Sequence, residues 1–468
     1  MAITDDQSDP RPTNVRWGVF ALAFGTSGLL YLHRYVFAFV KPMLAQEYEL
    51  SNTELGQLDS AFSLCYTLFQ FPLGIVADIA GVHLVLTGLI LVWCGGLAML
   101  AWAPSVKLIW FAQATHGTGQ SAVYACLNRI ARMWYPPGVR TTLQGAVGVL
   151  AGRLGGLSSS LVFTSLLLGV LGLYWRTAIW ILVAVGVAHL LLFVTVFRNS
   201  PREHAAVNDA EARLIEDDDS PTTESPLTLT RSVSEGDSSP LTPERTTVSS
   251  MLRSMTPRSL FNLLCLAVQS ILSTFADNVY SNWLPSFLDH VHHLELKKVG
   301  FYSALPLLGG AIGGLLGGIL NDYFIALTRN RRWSRVGVAF VGKGLAAVLI
   351  FAALFVYDRP FLFCVALFFV KLVGDWSLAT SLGVVTDIGG RATASVFAFN
   401  NSVAGIGFIT APIAFGYIAD HYDWRLVFVA VGATYGLCAL SWLLIDCTIP
   451  VVRESRSAGN SNCKPLSE

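Results

Sequence analysis

The chain has 468 residues, of which 53% are hydrophobic and only 13% charged, about half the charged share of a soluble domain. That balance excludes an ordinary water-soluble enzyme and points to a protein whose solvent is mostly lipid. Lys plus Arg and Asp plus Glu stand at 31 each, so no basic excess calls for a nucleic-acid partner.

Residues 1–16 are polar and partly acidic and lack the basic start of a cleaved signal peptide, so the first apolar block is expected to stay as a helix. Apolar blocks then follow at 17–40, 53–77, 84–103, 107–133, 140–168 and 175–197. Each is near the ~20 residues that a bilayer core requires. One long polar interval, 198–257, comes next and is rich in Ser, Thr, Pro, Asp and Glu. Such a segment buries too little surface to offset its ordering entropy and is expected to be largely disordered. Further blocks lie at 258–285, 299–322, 335–356, 361–383, 392–418 and 425–446. The eight cysteines lie mostly inside apolar blocks, with no Cys-x-x-Cys and no His at metal spacing. They read as small hydrophobes, and neither a metal nor a cofactor is expected.

Lys and Arg of the loops fix the orientation. With both termini and the polar interval on one side, the opposite side receives only Lys41, Lys107, Arg176, Lys297, Lys298, Arg359 and Arg425. The richer side is cytoplasmic by the positive-inside rule. The expected organisation is a cytoplasmic tail at 1–16, a six-helix bundle at 17–197, a cytoplasmic linker at 198–257, a second bundle at 258–446 and a cytoplasmic tail at 447–468. The halves repeat each other. Gly56, Gly74 and Asp78 recur as Gly300, Gly318 and Asp322 at the same spacings. Trp175-Arg176 recurs as Trp424-Arg425, and Arg140 as Arg391. The fold class is therefore an all-α integral membrane protein, twelve transmembrane helices in two pseudo-symmetric six-helix bundles. Paired repeats with a site between them are the transporter pattern.

Several stretches carry a family resemblance: YLHRYVFAFVKPML (31–44), LGQLDSAFSLCYTLFQFPLGIVAD (55–78), RMWYPPGVR (132–140), SPREHAAVNDAEARLI (200–215), NVYSNWLPSFL (278–288) and APIAFGYIADHYDW (411–424). With the Gly-x-x-x-Asp turns after spans two and eight, the chain resembles the major facilitator superfamily. Within it, these stretches resemble the anion:cation symporter family of hexuronate and galactonate transporters, sialin and the vesicular glutamate transporters. The resemblance covers nearly the whole chain outside the linker and the tail.

An ionised residue at the centre of a spanning helix costs about 2.5–3.5 kcal/mol on insertion scales and marks a function by default. Arg34 is such a residue, and Ser27, Tyr31, Arg34, Ala38 and Lys41 share one helical face. A guanidinium offers a planar fork to a carboxylate. The resemblance implies that Arg34 binds the substrate anion; the alternative is a structural ion pair with Asp277. Other charges within spans lean positive, with Arg129, Arg153, Lys343 and Lys371 against Asp277 and Asp375. Arg153 is the second anion-binding candidate, Arg129 reads as snorkelling, and Lys371 with Asp375, four apart, as a self-satisfied pair.

The fourth span presents Gln113, His116, Gln120, Tyr124 and Asn128 on one face, a hydrogen-bonding wall for a polar solute. Several members of the family that the chain resembles carry an acid for proton coupling at the position matching Gln120. The amide here leaves His33 and Asp277 as coupling candidates. Asp277 and Tyr280 of the seventh span, with Trp376, Asn400 and Asn401, complete the candidate lining, Trp376 reading equally well as packing. Gating candidates are Gly74, Asp78, Gly81, Gly318, Asp322, Arg140 and Arg391. Asp78 is expected to meet a helix N-terminus across the halves. Gly309, Gly310, Gly313, Gly314, Gly317 and Gly318 read as a close helix-packing stripe.

Together these features lead to a secondary active transporter that moves a small organic anion, a sugar acid or other carboxylate, by alternating access. It is expected to be a monomer in the plasma (inner) membrane, with H+ or Na+ as the candidate coupling ion. The alternative is a transporter-shaped receptor that binds a metabolite without net transport. No nucleophile motif or nucleotide loop points to an enzyme.

Overall fold

The apolar blocks fold as helices whose ends are set by local chemistry. In the computed structural model, residues 11–216, 255–390 and 393–451 are described. The expectations for 217–254, Arg391 and the tail beyond 451 lie outside them. The first bundle comprises α1 (Val15–Tyr48), α2 (Asn52–Ala80), α3 (Val82–Trp102), α4 (Val106–Gln120 continuing as Val123–Trp134), α5 (137–170) and α6 (Trp175–Val196). The second comprises α7 (Pro257–His290), α8 (Leu296–Thr328), α9 (Arg331–Val356), α10 (Pro360–Gly374 continuing as Trp376–Gly389), α11 (Thr393–His421) and α12 (Trp424–Trp442). Reciprocal capping boxes open α2 (Ser51 with Glu54) and α7 (Thr256 with Ser259), satisfying amides that would otherwise lack partners.

Eleven of these helices are long and apolar enough to cross a membrane. The remaining one, α4, is interrupted at Ser121–Ala122, where Ser121 tightens the turn by donating from both its amide and its Oγ to the Thr118 carbonyl. The matching helix of the second half, α10, is interrupted at Asp375. Discontinuous helices near mid-span are where transporters of this architecture build their sites.

The duplicated glycines mark equivalent places. Gly56 of α2 lies so close to α11 that a Cβ would stand 2.4 Å from the Pro412 carbonyl, and one on Gly300 of α8 would stand 2.4 Å from the Ser160 carbonyl of α5. These are the two seams between the bundles. Gly74 and Gly318 are open, each facing an alanine of its own bundle, Ala125 of α4 and Ala379 of α10. The α8 stripe is a packing device in part: Gly309 and Gly313 abut the α10 backbone at Phe368 and Leu372, whereas Gly314 and Gly318 make only ordinary contact.

We call the end that carries residues 11–16 and 198–216 the linker face, and the opposite end the far face. The seams are tight toward the far face. The Asp420 carboxylate at the end of α11 accepts the Asn52 and Thr53 amides at the start of α2, at 2.9 and 2.7 Å. Ser60 Oγ donates to the Ile409 carbonyl at 2.7 Å, and Ser165 Oγ of α5 to the Lys297 carbonyl at 3.0 Å. A carboxylate on a helix N-terminus across the halves was expected of Asp78. The structure gives that position to Asp420, at the other face, because that is where the bundles are closed. Asp78 is exposed and pairs with Arg129 of its own bundle at 2.6 Å.

The first part of the interval read as a solvated linker is folded. Asp209–Glu216 forms a short helix, and its Glu211 is buried. The Glu211 carboxylate accepts the amides of Val15 and Arg16 at 3.2 and 3.1 Å and pairs with the Arg16 side chain at 2.9 Å. Asn14 makes no side-chain cap, so Glu211 caps α1 from a distance of nearly two hundred residues in sequence, the favourable place for a negative charge. Ile215 is buried in the core of the first bundle.

Candidate functional site

Arg34 sits on the polar stripe of α1 and faces a space between the bundles that is also lined by Asp59 and Phe62 of α2, Gln113 of α4, Asn282 of α7 and Phe408 of α11. Its Nε donates to Gln120 Oε1 at 2.9 Å. The rings of Tyr66, Tyr31 and Phe62 surround its carbon centre at 4.6, 4.9 and 5.5 Å, a cation–π cradle that holds the charge without neutralising it. Nη2 is buried with no hydrogen-bond partner, and no carboxylate pairs with Arg34 among the described residues. The alternative partner, Asp277, is engaged elsewhere.

Asp277 of α7 pairs with Lys371 of α10 at 2.7 Å and Lys343 of α9 at 3.8 Å, and accepts the Tyr435 hydroxyl at 2.6 Å. Lys371 also pairs with Asp375 at 2.5 Å, and Asp375 with Arg153 of α5 at 2.8 Å. Lys371 and Asp375 are therefore not a closed pair on one helix; they sit within a chain of charges that crosses from the second bundle to the first. Gly310 of α8 makes room for that crossing, since a Cβ there would stand 2.6 Å from Asp375 Oδ2 and 3.0 Å from an Arg153 nitrogen.

A further interior pair joins Lys41 of α1, fully buried, to Asp59 of α2. Lys41 Nζ also donates to the Asn282 carbonyl of the other bundle at 2.9 Å and lies 4.0 Å from the centre of the Trp283 ring. Lys41 thus belongs to the interior, not to a loop, and this corrects its place in the charge tally. Among the described residues between the bundles, the cations Arg34, Lys41, Arg153, Lys343 and Lys371 face the carboxylates Asp59, Asp277 and Asp375, a surplus of two positive charges. Such a surplus in a low-dielectric cleft concentrates anions.

The other sequence candidates are distributed as follows. Gln120 is buried and wholly engaged: besides accepting from Arg34, its Nε2 contacts the Leu30 carbonyl at 3.1 Å and His116 Nε2 at 2.8 Å. It positions Arg34 instead of presenting itself to a solute. Gln113 is the freer amide, lining the space with Oε1 unpartnered among the described residues. The Tyr124 hydroxyl lies 2.9 Å from Ser27 Oγ, Tyr280 is buried with its ring 5.5 Å from Lys371 Nζ, and Asn128 is exposed on the linker-face half of α4. Asn400 accepts from Ser270 at 2.9 Å, and Asn401 is half-buried beside it. Trp376 packs against Gly342 of α9 and Gly317 of α8. His33 is buried edge-on to Trp93 and against Gly186, on the face of α1 turned away from the space.

Among the gating candidates, Gly81 has φ +86° and is flanked by Asn199, whose Oδ1 accepts the His83 amide at 2.9 Å. Arg140 Nε donates to the Tyr135 carbonyl at 3.2 Å, and Asp322 is exposed. Asp59, which lines the space, Tyr66, which lies over Arg34, and Tyr435, which donates to Asp277, are neighbours of the candidate residues that the sequence reading missed. For Asp59 the signal was present, an acid inside an apolar block, the same signal that marked Asp277.

Comparison with known proteins gives a consistent set. The Major Facilitator Superfamily profile matches residues 23–342 and 266–465. The "Probable sulfoacetate transporter SauU" of Cupriavidus necator is 29% identical over 92% of this chain and 94% of its own length. The "D-galactonate transporter" of Escherichia coli is 24% identical over 93% and 96%. Among solved structures, a bacterial homologue of the human lysosomal transporter Spinster, inward-facing and occupied, superposes with TM-score 0.71 at 17% identity, covering 92% of this chain and 97% of that one.

Proposed function

The chain belongs to the Major Facilitator Superfamily, and from that premise we propose that it is a secondary active transporter of a small organic anion. The observation that carries the reading is Arg34, a half-buried guanidinium between the bundles whose Nη2 is buried and which has no carboxylate partner among the described residues. Leaving a buried charge uncompensated costs several kcal/mol, so a site that keeps one is built for a ligand of opposite sign. The two-charge surplus around it supports an anion over a neutral sugar. The names of the relatives, a sulfoacetate and a sugar-acid transporter, support the same class.

In this reading the structure represents the conformation closed at the far face. Alternating access opens the α2–α11 and α5–α8 seams there while the linker-face halves close. The linker face is cytoplasmic, by the Lys and Arg bias of the loops, and the protein acts as a monomer in the plasma membrane. The experiment is a ligand-stabilisation series on purified protein with sulfoacetate, D-galactonate, D-glucuronate and neutral D-xylose. A ligand at a hundred times its Kd stabilises by about 2.7 kcal/mol. At least one of the anions should raise Tm and D-xylose should not. Stabilisation by D-xylose alone would refute the anion reading.

A further inference from the structure

We infer that Asp59 is the proton-binding site that couples anion movement to H+, with Lys41 exchanged between Asp59 and the anion. This rests on the anion-transport reading above.

The argument starts from the interior carboxylates. Asp277 touches two ammonium groups and a tyrosine hydroxyl, and Asp375 touches Lys371 and Arg153. Among the described residues Asp59 pairs with a single cation, Lys41. Opposite charges nearby hold a carboxylate ionised, so the acid with one cation accepts a proton most readily of the three. Its place is also the right one. Asp59 lines the same space as Arg34, and Lys41 holds the far-face contact between the bundles through the Asn282 carbonyl and the Trp283 ring. The groups facing Asp59 from the helices around it leave Lys41 as its control. α1 presents Arg34, Tyr35 and Lys41; α4 presents Gln113, with His116 behind Phe62; α7 presents Ser281 and Asn282; and α11 presents Phe408. α3 carries only His83, near the linker face, and Cys94, against Gly186. Asp420 is occupied by Asn52 and Thr53.

The cycle follows from charge. Opening the far face draws Lys41 away from Asn282 and Trp283, which belong to the other bundle, and admits water to Asp59. While Asp59 is ionised, Lys41 is neutralised by it and the carboxylate repels an incoming anion. A proton taken from far-face water neutralises Asp59 and frees the Lys41 ammonium, which keeps its own protons throughout. The anion then binds between Arg34 and Lys41. After closure and opening to the linker face the anion leaves, Asp59 gives its proton to water on that side, and the Lys41–Asp59 pair reforms as observed here. One proton moves with each anion, in the same direction.

The test uses the full-length protein in liposomes with a pH-sensitive dye in the lumen and two probes, sulfoacetate and D-galactonate. The wild type should acidify the lumen as it takes up a probe. An inward gradient of one pH unit should raise accumulation of D-galactonate, a monoanion for which one-to-one coupling is electroneutral, up to about tenfold. Asp59→Asn should remove both the acidification and the gain from the gradient, and Asp59→Glu, which still titrates, should retain them. Because Asp59→Asn leaves Lys41 buried without a counter-charge, the double variant Lys41→Gln with Asp59→Asn is measured beside it and should likewise move no protons. Proton entry coupled to anion uptake in either asparagine variant overturns the inference. Net anion uptake by the wild type without proton entry overturns it while leaving anion transport standing. Absence of uptake with both probes in the wild type overturns it together with the transport reading on which it rests.

Discussion

Replacing Arg34 by lysine keeps the charge and removes the geometry. The guanidinium donates Nε to Gln120 and leaves Nη2 without a hydrogen-bond partner among the described residues, an arrangement that an ammonium group cannot reproduce with one nitrogen. The loss is that of one charge-assisted hydrogen bond, about 1.5–3 kcal/mol, or roughly a 10- to 150-fold weaker Kd. Arg34→Ala removes the charge as well and should abolish anion binding. It also strips Gln120 Oε1 of its donor, so a Tm decrease corresponding to about 1–3 kcal/mol is expected, with expression retained. Titration calorimetry with sulfoacetate or D-galactonate on the wild type and both variants gives the numbers. Since Asp277 is held by Lys371, Lys343 and Tyr435, adding Asp277→Ala to Arg34→Ala should not restore binding. Restoration in the double variant, or an Arg34→Ala protein that binds within threefold of wild type, would refute the anchoring role.

Other outcomes follow from the same geometry. Gly310→Ala places a methyl group where the Arg153–Asp375 bridge runs, so the bridge must shift. Overpacking of this kind costs about 1–3 kcal/mol, and transport should fall more than Tm does. Glu211→Ala removes the remote cap of α1 and should lower stability by about 1–2 kcal/mol in thermal unfolding, without changing anion affinity. Deleting residues 217–249, which joins Glu216 to Ser250 and keeps that cap, should leave insertion and binding intact. Cysteines placed at His83 and Arg329 should resist a membrane-impermeant reagent added outside intact cells, and reaction there would reverse the assigned orientation.

Much of this was legible because membrane proteins write their fold in hydropathy. Blocks of about twenty apolar residues, the Lys and Arg bias and the recurring Gly56/Gly300 and Asp78/Asp322 spacings led to two six-helix bundles, and the glycines proved to sit at equivalent seams. Arg34 was legible because a charge in an apolar block has few reasons to be there. What was hidden depends on rotation and depth, which periodicity does not carry. His33 is adjacent to Arg34 in sequence, yet a turn of about 100° per residue sends it to the back of α1. Lys41 was counted with a loop because α1 runs on to Tyr48, which buries the lysine opposite Asp59. Gln120 read as a solute contact because its role is set by Arg34 reaching across from another helix. Glu211 looked like one more acid of a polar tether, and only its contact with residues 15 and 16 reveals a cap.

The measurement closest to the central claim is accumulation of radiolabelled sulfoacetate or D-galactonate by wild-type protein reconstituted in liposomes, under an inward pH gradient, beside Arg34→Ala. The account requires at least one of the two anions to rise in the lumen above its external concentration with the wild type and not with the variant. Saturable binding of an anion to the wild type with no accumulation in the lumen would contradict it and make the protein a receptor with a transporter's architecture.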